Sequence, residues 1–222
     1  MSRVLYDLAG ADESIRFSPF CWRTKLALAH KNLAFETTPW HFTEKDKIAF
    51  SGQSKVPVLV DGEKVVSDSH TIAEYLETTY PNEASLFGEP PARPLTTFIK
   101  AWTETVLHPA LVPVLLADIH ALLTPEDQAY FRQTRKGYYK RSLEDFAAHR
   151  AEAITLLNTA MKPLKSTLEK QPFLAGLAPN YADHIVFGAL KWATTVSSTT
   201  LLEPNGVLER WMNAVLETYG LA

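Results

Sequence analysis

A serine followed by a proline heads the helix-forming run Phe17-Ser18-Pro19-Phe20-Cys21-Trp22-Arg23-Thr24-Lys25. Ser18 reads as the N-cap and Pro19 as the first helical residue, where the missing N–H is not needed. A helix start gathers unpartnered backbone N–H groups and the positive end of the helix dipole. Such a place can hold an anion, a thiolate included. The plain alternative is that Ser18 only caps its helix. A second group is Lys55-Val56-Pro57-Val58-Leu59, just before a hairpin. A proline there is an ordinary edge feature, or a cis bond that turns the chain and exposes the backbone of Val56. Asp68-Ser69 then opens the next helix. Both residues are good caps. The same groups suit a zwitterion: the Ser69 hydroxyl and the helix-start N–H groups can bind a carboxylate, and Asp68 an ammonium.

Two stretches of different grammar must position these residues. Up to Tyr80, strand-like runs alternate with helical ones. Val4-Leu5-Tyr6 reads as a strand, 19–31 as a helix and 34–38 as a second strand. Val58-Leu59-Val60 and Lys64-Val65-Val66 flank the turn Asp61-Gly62 and read as a hairpin. Between Asp68 and Tyr80, Ile72, Ala73, Tyr75, Leu76 and Tyr80 share one helical face. The order β-α-β, then β-β-α, gives a small sheet covered by helices. Pro81, Pro90, Pro91 and Pro94 break regular structure, so 81–94 reads as a linker. Beyond it the signals are helical. They cover 95–123, with Pro109 and Pro113 as places to bend, and an interrupted run from Thr124-Pro125-Glu126-Asp127 to about Lys170. Asn180 and Asp183 form a capping box, and a last helix spans Gly206 to Tyr219. The expected division is residues 1–80, a linker at 81–94 and an all-α part at 95–222.

The 222 residues are 46% hydrophobic, enough for one large core or two small ones. A net charge of -3 with no long basic run argues against a nucleic-acid partner. The N-terminus lacks the apolar core of a signal peptide, and no run approaches the roughly 20 apolar residues of a membrane span, so no membrane association is expected. Cys21 is the single cysteine, which rules out an intrachain disulfide and fits a reducing cytoplasm. The seven histidines form no HExxH or other tight ligand pattern, so no metal is expected. P-loop, G-x-S-x-G and G-x-G-x-x-G motifs are absent.

Taken in order, these motifs resemble the glutathione S-transferase family over nearly the whole chain. Ser-Pro-Phe-Cys falls at the first helix, Val56-Pro57 at the family's cis-proline, and Asp68-Ser69 at its Glu/Asp-Ser pair. Phe173-Leu174-Ala175-Gly176 and Tyr181-Ala182-Asp183-His184-Ile185-Val186-Phe187-Gly188 look like its capped core helix. Ser-Pro-x-x-Trp-Arg-Thr with the Tyr181 segment is similar to the serine-type, bacterial β-etherase-like and fungal Ure2p-like A branch, which is associated with aromatic ethers and polyphenols.

The resemblance implies an α/β thioredoxin-like N-terminal domain plus an all-α C-terminal helical domain. It implies a glutathione transferase in which Ser18 is catalytic, donating a hydrogen bond to the glutathione thiolate. Val56 would pair its backbone with the cysteinyl part of glutathione, and Asp68 and Ser69 would hold the γ-glutamyl end. Lys55 would contact the glycine end. Phe17, Phe20 and Trp102 are candidates to line the second-substrate site, with core packing as the alternative for each. A homodimer in the cytoplasm is expected. Two other readings stay open: a thiol reductase using Cys21 of the S-x-x-C pattern, and a non-catalytic carrier of aromatic ligands. Tyr6 is a second possible thiolate donor, and His70 has no evident role.

Overall fold

The computed structural model describes residues 2–90 and 92–221. Its first part contains β1 (Arg3–Leu8), α1 (Pro19–His30), β2 (Glu36–Trp40), a 3-10 segment (Lys45–Ser51), β3 (Val58–Asp61), β4 (Lys64–Ser67) and α2 (Ser69–Thr79). The four-stranded sheet has the order β2-β1-β3-β4, with β1 parallel to β2 and the other pairs antiparallel. β2 lies two residues later than the sequence suggests and includes Pro39. It is an edge strand, where a missing N–H need not break a ladder.

The second part is helical: α3 (Ala92–Trp102), a single π-helical turn (Thr103–Leu107), α4 (His108–Ala121), α5 (Pro125–Tyr139), α6 (Leu143–Ala148), α7 (Arg150–Ala160), α8 (Lys162–Leu168), α9 (Tyr181–Val196) and α10 (Val207–Thr218). α3 begins inside the proline-rich segment, because Pro94 falls in the first turn, where its missing N–H is harmless. The π turn is closed by the His108 N–H on the Thr103 carbonyl, immediately before Pro109. A proline cannot donate the next α-helical bond, and a wide turn accommodates that gap. The interrupted run from 125 to 170 divides into four helices. α5 ends on Lys140 at φ 56°, and Ser142 caps α6 by accepting from the Asp145 N–H. Among the described residues no helix is long and apolar enough to cross a membrane.

Two packed clusters flank the sheet. One joins Leu5, Leu28, Leu59, Ile72 and Leu76 to Tyr181 and Ile185 of α9. The other joins Leu8, Phe17, Trp40 and Val58 to Leu111, Leu115, Phe131 and Phe187 of the helical part. α9 is thus shared by both cores. Its start is held by the buried Asp183, whose carboxylate accepts from the N–H groups of Leu174 (2.8 Å), Ala175 (3.1 Å) and Asn180 (3.2 Å) and from Trp211 Nε1 (3.0 Å). Gly188 faces α1: a Cβ there would collide with the Pro19 carbonyl and come within 3.3 Å of Arg23 Cγ. A directed chain of bonds ties the C-terminus to this frame. His30 Nε2 donates to the Ser85 carbonyl at 3.0 Å, so its neutral Nδ1 accepts from the Tyr219 hydroxyl at 2.8 Å. Tyr219 in turn accepts from His184 Nε2 at 2.8 Å.

Candidate functional site

The sheet register brings the motif residues to one end. Val58 pairs with both Tyr6 of β1 and Ser67 of β4. Val56, two residues before Val58, and Asp68, one after Ser67, therefore stand at the edge where β1 runs out toward Ser18.

Ser18 is the N-cap of α1, as its sequence predicts. Its backbone is extended (φ -65°, ψ 123°), and its Oγ accepts from the Cys21 N–H at 3.2 Å. That bond uses an oxygen lone pair and leaves the hydroxyl proton to donate, with the Cys21 sulfur also within its reach. Ser18 is only 4% exposed, yet it lines a cavity of about 750 Å³ between the sheet and the helical part. The Val56–Pro57 peptide is cis. Val56 and Lys55 also line the cavity.

Asp68 has φ 71° and ψ 129°, a left-handed region costly for a residue with a Cβ. Its Oδ1 takes the N–H groups of His70 (3.0 Å) and Thr71 (2.9 Å) and the Thr71 hydroxyl (3.2 Å), which leaves Oδ2 open on an exposed side chain. Ser69 is pinned through its carbonyl, which accepts from the Tyr181 hydroxyl at 2.8 Å. Asp68 and Ser69 lie outside the large cavity, on the sheet edge beside it. His70 packs against the rings of Phe87 (6.1 Å) and Tyr181 (5.9 Å), a structural position between α2 and α9.

Cys21 is fully buried, with Sγ 3.9 Å from the Tyr6 carbonyl. Burial, with the charge of Asp7 nearby, raises its thiol pKa well above the ordinary value. A buried, protonated thiol is a poor nucleophile. Tyr6 packs against Phe50 at 5.6 Å and does not line the cavity.

Phe17 and Phe20 line the cavity, and Phe17 is also part of the core. Trp102 does not line it; it packs against the core beneath the π turn. The π turn instead delivers Glu104 and His108. Glu104 accepts from Arg23 Nη1 and Lys100 Nζ, both at 2.8 Å. The His108 ring meets Phe20 at 5.5 Å and Trp192 at 5.8 Å. Burial, reinforced by the positive charge of Arg23, lowers its pKa to about 4, so it is neutral at pH 7. Much of the remaining wall comes from residues the motifs did not flag: Trp40 at the end of β2, Phe42 beyond it, and Tyr130, Phe131, Arg135 and Tyr139 on α5. Their only sequence signal is the spacing of large side chains four or five apart along α5, which a core face also produces. Among the described residues no three His, Cys, Asp or Glu side chains converge as a metal site requires.

The family model "Glutathione S-transferase, N-terminal domain" matches residues 17–79, and "Glutathione S-transferase, C-terminal domain" matches 94–219. A curated relative, "Glutathione S-transferase U2" of Arabidopsis thaliana, is 29% identical over 120 residues; the match covers 50% of this chain and 53% of that protein. The crystal structure of glutathione transferase GSTFuA3 from Phanerochaete chrysosporium superimposes with a TM-score of 0.87 at 23% identity, covering 99% of this chain and 97% of that one. The glutathione complex of CsGST63524 from Ceriporiopsis subvermispora gives 0.82 at 23% identity, covering 98% and 96%. These structures share the thioredoxin-like sheet unit followed by an all-α unit. Because the C-terminal match alone takes in more than half of the residues, and both matches fall on the parts that build the cavity from either side, the chain belongs to the glutathione S-transferase family.

Proposed function

We propose that the protein is a serine-type glutathione transferase that ionises the glutathione thiol at Ser18 and directs the thiolate onto an aromatic or other hydrophobic electrophile, aryl ethers included. The observation that carries this reading is the Ser18 hydroxyl: at the cavity wall it caps α1 through a lone pair, which leaves its proton to donate. A free thiol has a pKa of about 8.5, so only a few per cent is ionised at pH 7. A hydrogen bond to a charged group is worth about 1.5–3 kcal/mol, or roughly one to two pKa units. Two units would ionise about three-quarters of the bound thiol at pH 7. The positive end of α1 adds to the same effect.

In this reading Val56 offers its backbone to the cysteinyl part of glutathione, as an added strand would. Oδ2 of Asp68 takes the γ-glutamyl ammonium, and the Ser69 hydroxyl takes the carboxylate beside it. Lys55 meets the glycine carboxylate. The electrophile fills the cavity against Phe20, Trp40, Phe42 and Trp192. The burial of Cys21 speaks against the thiol-reductase alternative.

The deciding experiment follows thiolate ultraviolet absorbance across pH with glutathione bound, in the parent and in Ser18→Ala. The expected result is a bound thiol that ionises one to two units below its free value, a shift lost in the variant. Glutathione bound without any shift in the parent would leave the carrier reading in its place.

The same reading makes the chain a homodimer of a reducing compartment. Leu95 (66% exposed) and Phe98 (65% exposed) stand one turn apart on α3, and Val106 continues the apolar stripe. Light scattering should give twice the chain mass for the parent and a monomer for Phe98→Glu; a monomeric parent would remove the dimer.

A further inference from the structure

The cavity wall is electrically lopsided. Its cationic side chains are Lys45, Lys55 and Arg135, and its one carboxylate, Glu104, is already held by Arg23 and Lys100. None of the three cations forms an ion pair with a described residue. Asp127, the acid whose charge Lys45 feels, is committed to the Phe42 N–H (2.7 Å), the Thr43 N–H (2.9 Å) and the Thr43 hydroxyl (2.7 Å).

Lys55 is exposed to solvent, whereas Arg135 is half-buried with few polar partners. Its guanidinium carbon lies 4.5 Å from the Phe131 ring centre and 5.6 Å from that of Phe42. Its one hydrogen bond to a described residue runs from Nη1 to the Thr134 hydroxyl at 3.1 Å. Tyr130 and Tyr139 stand on the same cavity-facing side of α5, beside Arg135. Their hydroxyls have no hydrogen-bond partner among the described residues. A planar donor fork laid on aromatic rings, with spare donors on itself and on two flanking phenols, matches a carboxylate carried by an aromatic body. The wall around Phe20, His108 and Trp192 offers that body an uncharged surface.

We propose that Arg135 is a specificity residue that receives a carboxylate on the aromatic second substrate. This rests on the transferase reading and narrows its electrophile to aromatic acids. A carboxylate has one other source here, the glycine end of glutathione, and the test separates the two.

Matched electrophiles serve, a chloronitrobenzoate and its methyl ester. With either, the glutathione sulfur forms a bond to the ring carbon and chloride leaves with its bonding pair. KM for each electrophile and for glutathione is measured in the parent, Arg135→Gln and Arg135→Lys. The glutamine variant should raise KM for the acid about tenfold, the scale of one charge-assisted hydrogen bond, and leave the ester and glutathione within about twofold. The lysine variant should recover part of the loss, since it keeps the charge without the fork. Equal losses on acid and ester would reduce Arg135 to packing and overturn the proposal. A rise confined to the KM for glutathione would give Arg135 to the glycine carboxylate and overturn it too. Should neither electrophile be turned over, calorimetry with unreactive nitrobenzoate and its methyl ester still decides. A preference for the acid of about tenfold, abolished in Arg135→Gln, supports the subsite although the transferase reading has failed. No preference sinks it.

Discussion

At Ser18 one oxygen is given two tasks, and they use different parts of it. A lone pair takes the Cys21 N–H, and the proton is left for sulfur. Ser18→Ala therefore loses a helix cap as well as a donor, at about 1 kcal/mol of stability by the usual worth of a cap. Cys21, three residues on, is placed for the opposite fate. Its fully buried sulfur lies near the Tyr6 carbonyl and does not line the cavity. The folded protein should resist iodoacetamide at pH 8 and become labelled only when urea unfolds it. Rapid labelling of the folded state, followed by intact mass, would contradict the burial and revive thiol exchange. Ser18-Pro19 and Asn180 with Asp183 were legible in the sequence because capping is local: donor, acceptor and helix start lie within four residues. Arg135 was not. Its meaning comes from Phe42, 93 positions earlier, and from having no carboxylate partner among the described residues, and no short window of sequence contains either.

At the scale of elements, α1 is aimed by α9. Gly188 lets the two helices approach until the Pro19 carbonyl occupies the space of a side chain. Gly188→Ala should push the start of α1 away, at about 1–3 kcal/mol for overpacking, and move Ser18 off its line to the cavity. A urea titration beside kcat/KM would show both effects. An unchanged midpoint and unchanged turnover would mean the two helices can part without consequence. The motif Tyr-Ala-Asp-His-Ile-Val-Phe-Gly ends on this glycine, so the sequence marked the contact without showing its partner. The π turn was less legible. Pro109 announced an irregularity, but a proline reports a missing donor and not how the chain absorbs it. The extra residue in the wide turn rotates the start of α4, so His108 and Glu104 line the cavity while Trp102 faces the core.

Across the whole molecule, five histidines resist protonation in the folded state. Burial lowers the pKa of His30, His70, His120 and His184, and that of His108 to about 4. An unfolded histidine titrates near 6.5, so below that pH the unfolded chain binds protons the folded chain refuses. Their contribution to stability is therefore complete above about pH 6.5 and is lost as pH falls toward the folded values. His108 alone accounts for about 3 kcal/mol across that window, at about 1.4 kcal/mol per unit. Urea midpoints should drop steadily between pH 7 and pH 5, a range above most carboxylate titration. A flat profile there would mean the histidines titrate normally. Protonation would also reverse one bond in the chain through Tyr219, since His30 Nδ1 would change from acceptor to donor. The sheet unit and the helical part could be read from alternation and capping. The cavity between them could not, because its wall is assembled from β1, α1, the segment after β2, α4, α5 and α9 at once.

That assembly has an optical consequence. Two of the five tryptophans, Trp40 and Trp192, are set in the cavity wall. Trp40 adjoins Phe42, beneath the Lys45 ammonium, while Trp192 adjoins His108. The cavity wall thus carries two native fluorophores in different surroundings, one near its cationic stretch and one beside a neutral imidazole. An aromatic guest that absorbs in the near ultraviolet would quench them unequally, and the colour of the emission that remains would report where in the cavity it lies.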